Sequence, residues 1–240
     1  MSWIDGPLLG FDLETTGPDP SADLPVSYAL VFMDKGQVKW RKTGIINPGV
    51  PIPEMSTLIH GITNEQAAAQ GVSLDQATDL LIDELISASH QGIPLVGMNL
   101  CFDLTVVDHL CKEAYLTGLE QMGWAGPVID LLILDRRVDK QRRGHRRLSD
   151  LAAYYGIAQI DAHEAEADVM TTLACLKELC RRYEEITQFK IDHLYLAQMK
   201  WYREWAIGFN EYKAQQGQPF VPAILCWPLE QSETVHSQAS

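Results

Sequence analysis

No stretch of this chain approaches the roughly 18 to 20 consecutive apolar residues that a bilayer span requires, so no membrane-crossing helix is expected. Cysteine is scarce. Cys101, Cys111, Cys175, Cys180 and Cys226 are odd in number and none stands in a CxxC pair, which argues against a disulfide framework or a thiolate zinc site and points to reduced thiols. Cys175 and Cys180 fall within an apolar helical pattern and read as core. Positive charge is also in short supply: 19 Lys+Arg stand against 32 Asp+Glu, a net −13, which by itself argues against a general polyanion binder. The chain has no GxxxxGK[ST], GxGxxG or GxSxG, and the His163-Glu164 pair does not extend to HExxH because Ala167 stands where the second histidine would be. The first ten residues carry Asp5 and no Lys or Arg, unlike a secretory leader, so a cytoplasmic protein is expected.

What is present is an ordinary globular composition, 46% apolar and 21% charged over 240 residues, enough for one large domain or a medium domain with an appendage. Residues 7–14 alternate toward a TTGP turn and read as a strand. Two further strand-like runs, 26–34 and 37–46, meet at Lys35-Gly36 as a hairpin. Short apolar strands are expected at 94–98 and 127–130. Helical spacing marks 54–60, 64–70 (with Thr63 as N-cap), 75–89, 102–116, 148–155 and 164–183. The order suits an α/β fold with a mixed five-stranded sheet flanked by helices. The composition changes near residue 185. Segment 189–212 carries Phe189, Tyr195, Trp201, Tyr202, Trp205, Phe209 and Tyr212 at helical spacing. It predicts a C-terminal helical extension over 185–240, appended to a domain at 1–184. The aromatic stripe reads as core cover or a protein interface ahead of a base-stacking surface.

Charge is unevenly placed. Segment 136–147 (RRVDKQRRGHRR) holds seven Lys/Arg and one Asp in an otherwise strongly acidic chain. It reads as an exposed loop or helix edge, either offsetting charge or gripping phosphates through Arg142, Arg143, Arg146 and Arg147. The row Asp75, Asp79, Asp83 has i, i+4, i+8 spacing and reads as a solvated helix face.

Four acids sit in unusual company. Asp12 and Glu14 end a buried apolar strand, and side chains two apart on a strand share a face. Asp103 lies where an apolar strand passes into a helix. Asp168 lies on an apolar helical pattern, five residues after His163. Carboxylates inside apolar elements are costly unless neutralised, and hard oxygen donors without cysteine suit Mg²⁺ or Mn²⁺. Singly, each has an ordinary explanation: a turn cap, a helix-dipole partner, an exposed helix residue. Only the set suggests a metal site.

The set resembles a known family. FDLETTG at 11–17, HGIT at 60–63, NLCFD at 99–103 and HEAEAD at 163–168 occur in that order. They are similar to the motifs of DnaQ-like 3′→5′ exonucleases of the DEDDh type, to which the proofreading epsilon subunit of bacterial replicative polymerases belongs. LSDLAAYYGI at 148–157 resembles the segment that precedes the last motif. The resemblance spans residues 7 to about 183. It implies a ribonuclease H-like fold, with Asp12, Glu14, Asp103 and Asp168 holding two divalent cations, Mg²⁺ or Mn²⁺, and His163 as general base. It also implies that Thr15 and its turn approach the terminal nucleotide, that His60 and Asn99 line the substrate cleft, and that Phe102 packs near the terminal base, with simple core packing an equal alternative for Phe102.

The expected activity is hydrolysis from a 3′ end, DNA (single-stranded) ahead of RNA, releasing nucleoside 5′-monophosphates. The chain would act alone or beside a polymerase or another replication or repair protein. An exoribonuclease and a non-catalytic nucleic-acid-binding relative are the alternatives.

Overall fold

The computed structural model describes residues 2–158, 164–217 and 219–229. Strand β1 (Leu8–Thr15) pairs antiparallel with β2 (Pro25–Asp34), which pairs antiparallel with β3 (Gln37–Asn47). The β2–β3 hairpin turns at Lys35 and Gly36, both at positive φ. Helices α1 (Glu54–His60) and α2 (Asn64–Gln70) follow, the second closed by a Thr63–Gln66 capping box. A two-residue strand, β4 (Val72–Ser73), runs parallel to the end of β3 and leads into α3 (Leu74–His90). Next come β5 (Leu95–Gly97), α4 (Leu100–Tyr115), β6 (Val128–Asp130) and α5 (Leu131–Val138). The chain ends through α6 (Leu148–Tyr155), α7 (Ala165–Arg182) and the extension helix α8 (Ile191–Gln215).

The sheet order is β4-β3-β2-β1-β5-β6, with β5 and β6 parallel to β1. Six strands therefore replace the expected five. The sixth is β4, whose two residues are both exposed and leave no apolar alternation to read.

Alternation along β1 divides the core. Leu9, Phe11 and Leu13 face α3 and α4, packing with Leu81, Leu85, Leu100 and Leu104. Leu8 faces the other way, packing with Val169, Leu173 and Leu176 of α7 and Leu151 of α6. Gly10 shares that second face, and a Cβ there would lie 2.4 Å from Val169 Cγ1 and 3.2 Å from Leu173 Cδ1. The missing side chain lets α7 lie directly on β1. Asp12 and Glu14, two and four residues on, point to the same face.

The extension is part of the fold. Gln198 on α8 is fully buried; its Oε1 accepts from Asp130 N at 2.8 Å and its Nε2 donates to Val128 O at 2.8 Å. This side chain satisfies the open edge of β6 where no further strand pairs with it. The five cysteines are free thiols, four of them buried, and burial pushes Cys175 and Cys180 up to about 12. Among the described residues no helix is long and apolar enough to cross a membrane.

Candidate active site

Three elements deliver the acids to one end of the sheet. β1 supplies Asp12 and Glu14 from alternate positions. α7, held against Gly10, brings Asp168 on its first turn. α4 starts directly after β5, and its first turn supplies Asp103. Carboxylate oxygens of Asp12, Glu14 and Asp168 all lie within 4.8 Å of one another. Asp103 is buried, and its Oδ1 accepts from Leu13 N at 3.0 Å, so the backbone between Asp12 and Glu14 fixes the fourth acid.

The electrostatics are those of buried, mutually repelling acids. Burial, then the charges of Asp103, Glu14 and Asp168, raise the Asp12 carboxyl well above its ordinary range. Burial and Asp168 lift Glu14 to about 7. Asp103 is lifted to about 8, burial outweighing the Leu13 N–H that favours its ionised form. Asp12, Glu14 and Asp103 form no ion pair with a Lys or Arg among the described residues. Clustered, partly buried carboxylates repel one another and raise one another's pKa. The donor set is hard oxygen, closely spaced and partly desolvated, and it fits a divalent cation of the Mg²⁺ or Mn²⁺ kind.

Asp130 is a further acid at this end of the sheet. It is 1% exposed and accepts from Asn99 N, Leu100 N and Leu132 N at 3.0, 3.0 and 2.9 Å. Its charge also raises Asp103. It anchors the β5–α4 turn that carries Asp103. Its sequence signal is the same as for Asp12, a carboxylate closing a short apolar strand, and strand period alone does not separate it from an ordinary strand end.

The other expected residues divide. His60 lines a cavity of about 580 Å³ with Tyr28, Ile62, Glu164 and Glu166, next to the first turn of α7. Its Nδ1 accepts from Ile62 N at 3.1 Å, which leaves Nε2 to carry the proton of the neutral ring. Thr15 closes β1, and its hydroxyl donates to Gly17 O at 2.7 Å, tightening the turn beside Glu14. Gly17 lies close to Asp23: a Cβ there would sit 2.5 Å from Asp23 Oδ2, so the carboxylate that accepts from Thr16 Oγ1 would have to shift. Asn99 is the N-cap residue of α4 in a left-handed conformation (φ 63°), tied to Asp130 through its backbone N–H. Phe102 is half-buried and packs against the core on the α4 side. His163 lies outside the described residues; Glu164, its neighbour, is the N-cap residue of α7.

The basic segment differs from its expected exposed form. Arg142 and Arg146 turn inward and both pair with Asp135, which is fully buried and also accepts from Tyr155 Oη at 2.8 Å. Arg142 further pairs with Asp139 at 3.2 Å and lies over Tyr154. A buried carboxylate requires opposite charge, and these two side chains supply it. They are therefore structural, and only Arg143 and Arg147 of the expected four are exposed. Arg136 and Arg137, which open the basic segment, stack on α8: Arg136 lies 3.6 Å over the ring centre of Trp205, and Arg137 lies 5.0 Å over Trp201. The basic and aromatic segments thus form one structure.

Comparison with known proteins agrees with this geometry. Residues 9–176 match the exonuclease family. The chain is 30% identical over 180 residues to a PolC-type DNA polymerase III of Lacticaseibacillus paracasei, covering 72% of this chain and 11% of that protein. It is 32% identical over 173 residues to a DNA polymerase III subunit epsilon-like protein of Rhodobacter capsulatus, covering 68% of this chain and 22% of that one. Among solved structures it is similar to E. coli exonuclease I in complex with a dT13 oligonucleotide, with a TM-score of 0.63, 22% identity, and coverage of 80% of this chain and 46% of that one. Exonuclease I of Methylocaldum szegediense gives a TM-score of 0.61 at 26% identity over 75% of this chain and 41% of that one. These likenesses place the mixed sheet among ribonuclease H-like folds. The chain spans from a tenth to under half the length of these relatives.

Proposed function

The chain belongs to the exonuclease family, and from that premise we propose that it removes nucleotides one at a time from the 3′ end of DNA, preferring single strands. The observation that carries this reading is the convergence of Asp12, Glu14 and Asp168 within 4.8 Å, with Asp103 fixed alongside by Leu13 N–H. Asp12, Glu14, Asp103 and Asp168 would hold a pair of Mg²⁺ or Mn²⁺ ions. When bound, the two cations polarise the scissile phosphate, acidify the attacking water and offset charge on the leaving oxygen.

The chain's own residues account for the rest. Water adds to phosphorus as the P–O3′ bond breaks. The released nucleotide keeps the 5′-phosphate, and the shortened strand receives a proton on its new 3′ oxygen. His163, five residues ahead of Asp168, takes the proton from the attacking water; an imidazole with a pKa near 6.5 suits that role at neutral pH. His60, in the cavity beside α7, and the backbone after Thr15 hold the terminal nucleotide, and Phe102 packs near the terminal base. Asn99 keeps the Asp103 turn in register. Arg143 and Arg147 remain available to more distant phosphates. The acidic body is no obstacle, because cations in the acid cluster invert the local field.

Support for DNA comes from relatives that are polymerase III components and from the oligonucleotide bound to E. coli exonuclease I. The same relatives support either solitary action or service beside a polymerase. The test is digestion of 5′-labelled single-stranded DNA, duplex DNA and RNA of matched sequence with Mn²⁺ or Mg²⁺ and a chelator control. A ladder shortening from the 3′ end of single-stranded DNA, abolished by chelator and by Asp12→Ala, is expected. Faster RNA digestion would make the chain an exoribonuclease, and no digestion of any substrate would make it a silent relative.

A further inference from the structure

A second cavity, of about 410 Å³, lies between α5 and α8 and is lined by Arg136, Arg137, Lys140, Trp201, Glu204 and Trp205, with Arg142 and Arg146 behind. The last two arginines are neutralised by Asp135 and Asp139. Arg136, Arg137 and Lys140 form no ion pair among the described residues. Glu204 is the one acid in the lining, and it leans away toward Lys200 at 3.8 Å. Positive charge without an ion-pair partner among the described residues is thus gathered into one concavity of a protein whose net charge is −13.

The Trp205 ring is already engaged, with Arg136 3.6 Å over its centre and Phe209 stacked at 5.3 Å. It therefore offers no free face to a base. What it does is restrain the guanidinium, 3.6 Å over the ring centre, which favours a fixed rather than a freely moving donor. Burial pushes Arg136 down to about 10, still protonated at neutral pH and without a carboxylate bonded to it. The cavity is joined to the active site by the chain itself: α5, which carries Arg136 and Arg137, starts directly after Asp130, whose carboxylate accepts from Asn99 N and Leu100 N in the turn that leads to Asp103.

We propose that this cavity is a phosphate-binding subsite for the nucleic-acid strand, on the 5′ side of the nucleotide being removed, with Arg136 as its fixed donor and Arg137 and Lys140 as its flexible ones. The assignment of a strand rests on the exonuclease reading, whereas the affinity for phosphate does not. Phosphate oxygens match a rigid guanidinium fork, and successive phosphates match several cations in one groove. The subsite lies on α5 and α8, so it gives the extension a part in substrate binding that the acid cluster does not require.

The test is equilibrium binding of 5′-fluorescein oligothymidylates of increasing length, read by anisotropy in chelator so that no turnover occurs, across a salt series. The double variant Arg137→Gln/Lys140→Gln leaves the stacked Arg136 in place and changes two exposed side chains, so folding is not at stake. Its affinity for long oligomers should fall on the order of tenfold at low salt, and the slope of log affinity against log salt should shrink by about 1.4, two contacts at about 0.7 each. The loss should grow with oligomer length. Lys39→Gln, an exposed lysine bonded only to Gln37, should match wild type. An unchanged slope in the double variant overturns the subsite. Displacement of long oligomers by inorganic phosphate at equal phosphate concentration would make it a free-anion site and overturn the strand assignment. If the slope shrinks as stated yet wild type with Mn²⁺ digests nothing, the subsite stands and the exonuclease reading fails.

Discussion

Removing one acid should make the metal-free protein more stable. In the folded chain Glu14 is held at about 7, against about 4.5 when exposed, so below pH 7 the folded state keeps a proton that the unfolded state has released. A raised carboxyl of this kind makes stability fall as pH rises between the two values. A shift of that size is worth on the order of 3 kcal/mol once pH exceeds 7. Asp103, at about 8, extends the decline upward by one further unit. Thermal unfolding in chelator, followed by circular dichroism from pH 5 to 8, should therefore show a falling Tm. At roughly 2 to 4 °C per kcal/mol for a chain of this length, the Glu14 share is roughly 6 to 12 °C. Glu14→Gln should remove much of that decline and unfold above wild type at pH 8 in chelator. Mn²⁺ should reverse the order, raising wild type strongly at pH 8 and the variant little, because a ligand that binds only the folded state stabilises it. A wild-type Tm that is flat or rising over this range, or a variant that is less stable in chelator at pH 8, would refute the picture of mutually repelling acids.

Other consequences are separable. Gly10→Val places methyl groups where Val169 and Leu173 already lie; urea unfolding should show a loss of about 1–3 kcal/mol, and Mn²⁺ affinity should fall with it as α7 and Asp168 move off β1. Gln198→Ala strands the buried Asp130 N–H and Val128 C=O, and should cost about 3 kcal/mol by the same measurement. Arg146→Gln leaves Asp135 short of one buried partner and should destabilise by several times more than Arg147→Gln, whose side chain is exposed; equal effects would contradict the inward placement of Arg146. His163→Ala should reduce nucleotide release on the order of a hundredfold or more while Tm stays near wild type, and an active variant would remove His163 from the proton-transfer step.

The sheet and helices were legible where side-chain period carried them. The alternation through Leu9, Phe11 and Leu13 set β1 and put Asp12 and Glu14 on one face, and α6 appears over the residues its spacing indicated. β4 was not legible because two exposed residues carry no period. Gly10 was legible in principle, since a glycine inside a strand often marks a close approach, but the approaching helix lies more than 150 residues later. The arginines misled because a basic run reads as solvated until a buried acid is known to need it; Asp135, inside an apolar helix turn, was that acid. The pairing of Arg136 with Trp205 joins two segments that composition alone kept apart.

The most direct test of the acid cluster is Mn²⁺ titration followed by electron paramagnetic resonance of free ion, in wild type and in Asp12→Asn. Wild type should bind two saturable Mn²⁺ per chain, and the variant should lose both tight sites. Absence of saturable binding in wild type, or unchanged binding in Asp12→Asn, would contradict this.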